Sequence, residues 1–220
     1  MQEKIFRNII ANVIIIVSIL SVFAVTFFGN NQNMPAVSQT DYEVIYHGNT
    51  KKNNLSLMFN VYDNAKNIQK ILQVLEKNNV KATFFISGSF AEKNKNIILQ
   101  ISDAGHEIGN HGYFQNDFKK LNYDQSCEQI ITTERLLYQY CGIKTVLFAP
   151  PFGSIGKDVL KACQNLGYKV IMNSRVASSG AKNGDFILLN TAEAADKLEN
   201  IIKQYKSSNL NIVKVSENIG

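Results

Sequence analysis

At 220 residues, with 45% hydrophobic and 19% charged side chains, the chain has the length of one ordinary domain plus an appendage. Its net charge of +5 is carried by scattered lysines rather than a clustered stripe, which argues against a nucleic-acid-binding surface. The three cysteines, Cys127, Cys141 and Cys163, are widely spaced with no CxxC pair. They read as small buried hydrophobes rather than as a disulfide framework or metal ligands.

The first predicted element is a membrane span. Residues 9–28, IIANVIIIVSILSVFAVTFF, carry no charge and no proline, and such a run matches a hydrocarbon core of about 30 Å at about 1.5 Å per residue. Lys4 and Arg7 precede it, and the next charged residue is Asp41. That asymmetry places residues 1–8 in the cytoplasm and everything after the span outside the cell membrane. A cleaved signal peptide is the rival reading. Its apolar core is typically shorter, about 7–15 residues, and ends in a small-x-small site, whereas this run ends in TFFG. Residues 29–41, polar and containing Pro35, read as a linker.

From residue 42 to 220 strand and helix signals alternate. LSLMFNV (55–61) reads as a strand, and Ile68, Ile71, Leu72 and Leu75 mark an amphipathic helix over 64–78. ATFFIS (82–87) has the continuous apolar character of a strand buried on both faces. A helix with Ile97, Ile98 and Ile101 inward follows and ends at Gly105; HEIGNHG (106–112) supplies a short strand and a loop. Helix 123–140, strand TVLFAP (145–150), exit loop PPFG (150–153) and helix 157–166 come next. Strands 168–172 and 185–190, helix 192–206 and strand LNIVKV (210–215) complete the chain. Repeated β–α alternation predicts a parallel sheet wrapped by helices, an α/β domain in the form of an open or closed barrel. Chemistry then sits at the C-terminal ends of the strands.

Three segments in order, NVKATFFISGSF (79–90), DAGHEIGNHGY (103–113) and FAPPFG (148–153), resemble the polysaccharide deacetylase family, also known as the NodB homology domain or carbohydrate esterase family four. The resemblance spans residues 42–219. A further likeness in YHGNTKKNNLSLMFNVY (46–62) points to the branch found in spore-forming Gram-positive bacteria. The family implies an irregular (β/α) barrel that removes N-acetyl groups from polysaccharide. It implies a divalent metal, usually zinc, held by an aspartate and two histidines, with a second aspartate as base and a late histidine as acid.

Residue by residue, the chain departs from that pattern. Asn60 stands at the position of the base. Asp63 is the only nearby carboxylate and is equally well explained as the cap of the following helix. His111 matches the first metal-binding histidine, but Gln115 takes the place of the second, and a neutral amide is a poor zinc ligand. Asp117 lies close by without a motif to support it. Ala149 occupies the position of the arginine that orients the catalytic carboxylate. Asn190 occupies that of the histidine acid, and only His47, His106 and His111 exist in the chain. His106 and Glu107 belong to the framework.

Every chemical role is thus substituted and the scaffold motifs are kept. The expectation is a membrane-anchored pseudoenzyme without a resident metal. It would bind cell-wall glycan such as peptidoglycan, or an envelope protein, with Tyr113, Pro151 and Phe152 as groove residues and Tyr62 and Phe114 as further aromatic candidates. The alternative is an active zinc-dependent N-deacetylase using Asp63, His111 and an unidentified third ligand.

Overall fold

The computed structural model describes residues 42–176 and 180–220. The predicted span over 9–28 and the linker lie outside the described residues. Among those described, no helix is long and apolar enough to cross a membrane.

The described residues form a parallel sheet. Its strands are β1 (Val44–Ile45), β2 (Asn54–Val61), β3 (Thr83–Ile86), β4 (Glu107–Asn110), β5 (Leu147–Phe148), β6 (Lys169–Ile171), β7 (Arg175–Val176), β8 (Phe186–Leu189) and β9 (Asn211–Ile212). The order is β1-β6-β5-β4-β3-β2-β8-β7, with β9 added beside β2. Among the described residues seven α-helices surround it: α1 (Ala65–Lys77), α2 (Gly88–Lys93), α3 (Lys95–Asp103), α4 (Tyr123–Cys141), α5 (Lys157–Leu166), α6 (Thr191–Ser207) and α7 (Val215–Ile219). The sheet curls until the segment after β1 meets the lead-in to β8. Gly48 N–H donates to Gly184 O at 2.7 Å, and His47 bridges Asp185.

Strand alternation divides the interior. Leu55, Leu57, Phe59 and Val61 of β2 face outward into the helices with Phe84 and Ile86 of β3, Ile98 and Ile101 of α3, and Leu198 and Ile202 of α6. Met58, Phe85, Leu147, Ile171 and Phe186 fill the inside of the curl. Burial on both faces explains why these strands read as apolar runs without alternation. Gly109 is required here: a Cβ on it would lie 2.5 Å from Phe85 Cδ1. Asn60 comes two residues after Met58 on the same inner face, at the C-terminal end of β2.

The sequence expectations hold for the longer elements and fail at three junctions. The helix expected after β3 is two helices. Asn94 breaks it at φ −133°, and its Nδ2 donates to Phe90 O at 2.9 Å. The cap of α1 is Asn64, not Asp63. Asn64 has φ 55°, a left-handed conformation that asparagine tolerates well, and it accepts from Asn67 N–H.

The expected last strand, 210–215, stops at Ile212 and becomes α7. There Val215 packs inside the curl, its N–H donating to Thr83 Oγ1 at 2.9 Å. Asn218 Nδ2 reaches Ser56 Oγ at 3.1 Å. The C-terminus therefore plugs the N-terminal end of the curled sheet, leaving the opposite end as the place for a site.

Candidate functional site

At the C-terminal ends of the strands lies a cavity of about 290 Å³ lined by Asn60, Tyr62, His111, Gln115, Phe152 and Asn190, with Val176, Leu188 and Leu189 as its apolar wall. Four elements converge on it because the parallel sheet aligns their exits: β2 gives Asn60, β4 gives His111, the turn after β5 gives Phe152 and β8 gives Asn190.

His111 is the best-fixed member. Its backbone N–H donates to Ile86 O at 3.0 Å, its side chain is 1% exposed, and Nδ1 lies 2.6 Å from Ala149 O. A carbonyl only accepts, so Nδ1 carries the proton and Nε2 presents its lone pair. Burial pushes the imidazole down to about 4, against the smaller upward pull of the Ala149 carbonyl. His111 is therefore a neutral acceptor at physiological pH. Tyr62 lies over it with ring centroids 6.4 Å apart and planes 22° from parallel. Ala149, at the orienting-arginine position, contributes its carbonyl to this contact and buries its methyl among Met58, Phe85 and Leu147.

The amides behave differently from one another. Asn190 caps α6, accepting from Ala192 N–H at 2.9 Å. Gln115 is exposed at the rim. Asn60 is part-buried, and its Oδ1 is buried with no hydrogen-bond partner among the described residues. Phe152 is held at φ 57° in the turn Pro151–Gly153 and is 71% exposed. A left-handed, solvent-facing phenylalanine is strained backbone at the mouth of a cavity.

The remaining sequence candidates lie elsewhere. Asp63 is exposed and does not line the cavity. Asp117 accepts from Ser154 Oγ and Lys119 N–H, which holds its carboxyl below the usual range. Tyr113 is turned into the wall: its hydroxyl donates to Glu92 at 2.8 Å and its N–H to Gln129 Oε1 at 3.1 Å. Phe114 is exposed and packs edge-on against Tyr113. Pro151 is buried as the first residue of its turn. Sequence reasoning missed the apolar wall of Val176, Leu188 and Leu189. The only signal was the FILLN run, which read as core.

No carboxylate is among the residues lining this cavity, and among the described residues no three His, Cys, Asp or Glu side chains are grouped to hold a metal ion. One imidazole nitrogen and three neutral amides leave the +2 charge of zinc uncompensated. Catalytic zinc sites use three protein ligands, commonly histidines with a carboxylate or thiolate. This donor set does not fit a resident divalent ion.

Comparisons with known proteins agree with the fold. The polysaccharide deacetylase profile matches residues 47–171. The uncharacterized protein YlxY of Bacillus subtilis is 33% identical over 192 residues, covering 80% of this chain and 60% of that protein. A peptidoglycan-N-acetylglucosamine deacetylase of Bacillus cereus is 35% identical over 130 residues, covering 59% of this chain and 47% of that one. The chain thus spans about half to three fifths of the length of the curated relatives it matches. A crystal structure of a carbohydrate esterase family 4 pseudoenzyme from Bacillus anthracis superimposes with a TM-score of 0.78 at 26% identity, covering 81% of this chain and 69% of that chain. With its motifs, its curled parallel sheet and a profile match across more than half its length, the chain belongs to the polysaccharide deacetylase family.

Proposed function

We propose that this protein is a catalytically silent member of the family that holds N-acetylated cell-wall glycan without cleaving it, displayed on the outer face of the membrane by residues 9–28. The observation that carries the reading is the convergence of Asn60, Gln115 and Asn190 with a neutral His111 on one cavity. These positions correspond to the base, the second metal ligand and the acid.

Without base and acid, the site forfeits roughly 10²–10⁴-fold per proton transfer. What it retains suits an acetamide. His111 Nε2 accepts from the amide N–H, the side-chain amides of Gln115 and Asn190 offer donors to its carbonyl, and Leu188 receives its methyl group. Tyr62 and Phe152 give flat apolar faces for sugar rings. Peptidoglycan is the glycan class because it is named for the Bacillus cereus relative; a folded envelope protein bearing no sugar is the other occupant.

Co-sedimentation with insoluble peptidoglycan tests this, with chemically de-N-acetylated peptidoglycan alongside. Retention on the acetylated material, weakened by Phe152→Ala, with no acetate released in the presence of zinc, is the expected result. Zinc-dependent release of acetate at rates comparable to the relatives' would restore the deacetylase reading. Membrane fractionation and protease accessibility on intact protoplasts test the anchor: loss of the domain to external protease is expected, and full protection overturns it.

A further inference from the structure

A second, larger cavity of about 620 Å³ lies at the opposite ends of the strands, between α1 and α3. Its floor is His106, which immediately precedes β4, and the exposed Lys81, two residues before β3, stands at its edge. Glu76 of α1 and Asp103 of α3 stand on its walls. His106 is 5% exposed and lies edge-on to Phe84 with ring centroids 5.3 Å apart.

The tautomer of His106 follows from its contacts. Ala82 N–H donates to Nδ1 at 3.2 Å, so in the neutral ring the proton sits on Nε2. That N–H has no partner among the described residues. Burial, with a smaller contribution from the Lys81 charge, pushes the imidazole down to about 4. It therefore remains a neutral donor facing the cavity. This is the reverse of His111, which presents an acceptor.

Lys81 Nζ gives one N–H to Ala104 O at 2.5 Å and keeps two. Glu76, Lys81 and Asp103 line the same space, yet none has an ion-pair partner within 4.0 Å among the described residues. Gln69, Gln73 and Gln100 add amides to the walls, and Leu72 is the main apolar contribution.

A buried imidazole donor beside an exposed lysine and two carboxylates is the pattern for a ligand carrying both charges. We infer that this groove binds a zwitterionic short peptide or amino acid, its carboxylate on His106 Nε2–H and Lys81 and its ammonium towards Glu76 and Asp103. The glutamine amides are suited to a peptide group between the two ends. A plain anion would meet two unpaired carboxylates at the rim. A plain cation would leave the Lys81 ammonium and the His106 N–H without a partner. An uncharged sugar would leave all three charged groups unused. The site shares no residue with the glycan cavity, so the failure of either reading leaves the other standing.

Titration of alanyl-alanine into the full-length protein, followed by the His106 ring ¹⁵N resonances, tests the inference. Saturable shifts are expected, with Kd rising about ten-fold or more for alanyl-alaninamide and for N-acetyl-alanyl-alanine, as for loss of a charge-assisted hydrogen bond. Lys81→Gln, at an exposed side chain, should weaken alanyl-alanine to the same degree without unfolding the protein. Glu76→Gln with Asp103→Asn should abolish the preference for a free amino end. Equal binding of the blocked peptides, no saturable shift, or preferential binding of N-acetylglucosamine would each overturn it.

Discussion

Acid should destabilise this protein well above the pH at which its carboxylates titrate. His111 has an unperturbed value of 6.5 in the unfolded chain and one pushed down to about 4 in the fold. Above pH 6.5 both states are neutral and the group contributes nothing to pH dependence. Below it the unfolded chain binds a proton that the folded one refuses, so stability falls by about 1.4 kcal/mol per pH unit until the folded imidazole also protonates. Across that window the loss is about 3 kcal/mol, a large share of the 5–15 kcal/mol typical of a domain. His106, shifted in the same direction by burial and by Lys81, steepens the same window. Asp117 and Glu199 have carboxyls held below their usual values, so their contribution is lost at lower pH and does not mimic this one. The assay is urea unfolding from pH 8 down to pH 4.5. Stability should be flat above 6.5 and then decline, with a shallower slope in His111→Gln. A flat curve across the window, or a slope unchanged in the variant, refutes the reasoning.

Four further outcomes follow from single contacts. Gly109→Ala should cost about 1–3 kcal/mol by overpacking, because its Cβ would meet the Phe85 ring at 2.5 Å; Phe85→Leu in the same chain should recover part of this in thermal unfolding. Asn190→Ala should cost about 1 kcal/mol through loss of the α6 cap, read by urea unfolding. Calorimetric zinc titration should show no 1:1 site in the natural protein and no difference in His111→Ala, since one imidazole and neutral amides do not make a zinc site. Asn60→Leu should raise stability by about 1–2 kcal/mol, since it removes an unpaired buried polar atom, and should weaken retention on acetylated peptidoglycan.

Much of this architecture was legible because long apolar runs and amphipathic helices have few alternatives. Helix 157–166 was expected with the bounds it has, and α4 and α6 differ by a residue or two. The failures were places where a tertiary contact outweighed local pattern. LNIVKV alternates like a strand, but Val215 gains more by entering the curled sheet and bonding Thr83 than by extending β9. β1 and β7 are two residues each, too short for any period to register. In the site, the identities of Asn60, His111, Gln115 and Asn190 were readable from the family's motifs, and the structure brings all four to one cavity. Side-chain direction was not readable. Tyr113 and Asp117 belong to the same stretch as His111, yet Glu92, Gln129 and Ser154 draw them away.

The two asparagines at the positions that the resemblance assigns to base and acid differ in kind. Asn190 has a structural task, since its oxygen satisfies an orphan N–H at the start of α6, and an asparagine is among the best residues for that. Its persistence therefore says little about ligands. Asn60 has no such task. Its oxygen has no hydrogen-bond partner among the described residues, and an apolar residue of similar size on this inner face would need none. Beside the neutral imidazole of His111, the Asn60 amide is a polar group on the cavity lining that a ligand can address. Asn60 is therefore the position whose replacement tests the proposed binding most directly: Asn60→Leu should lower retention on acetylated peptidoglycan, and unchanged retention would refute the role assigned to it.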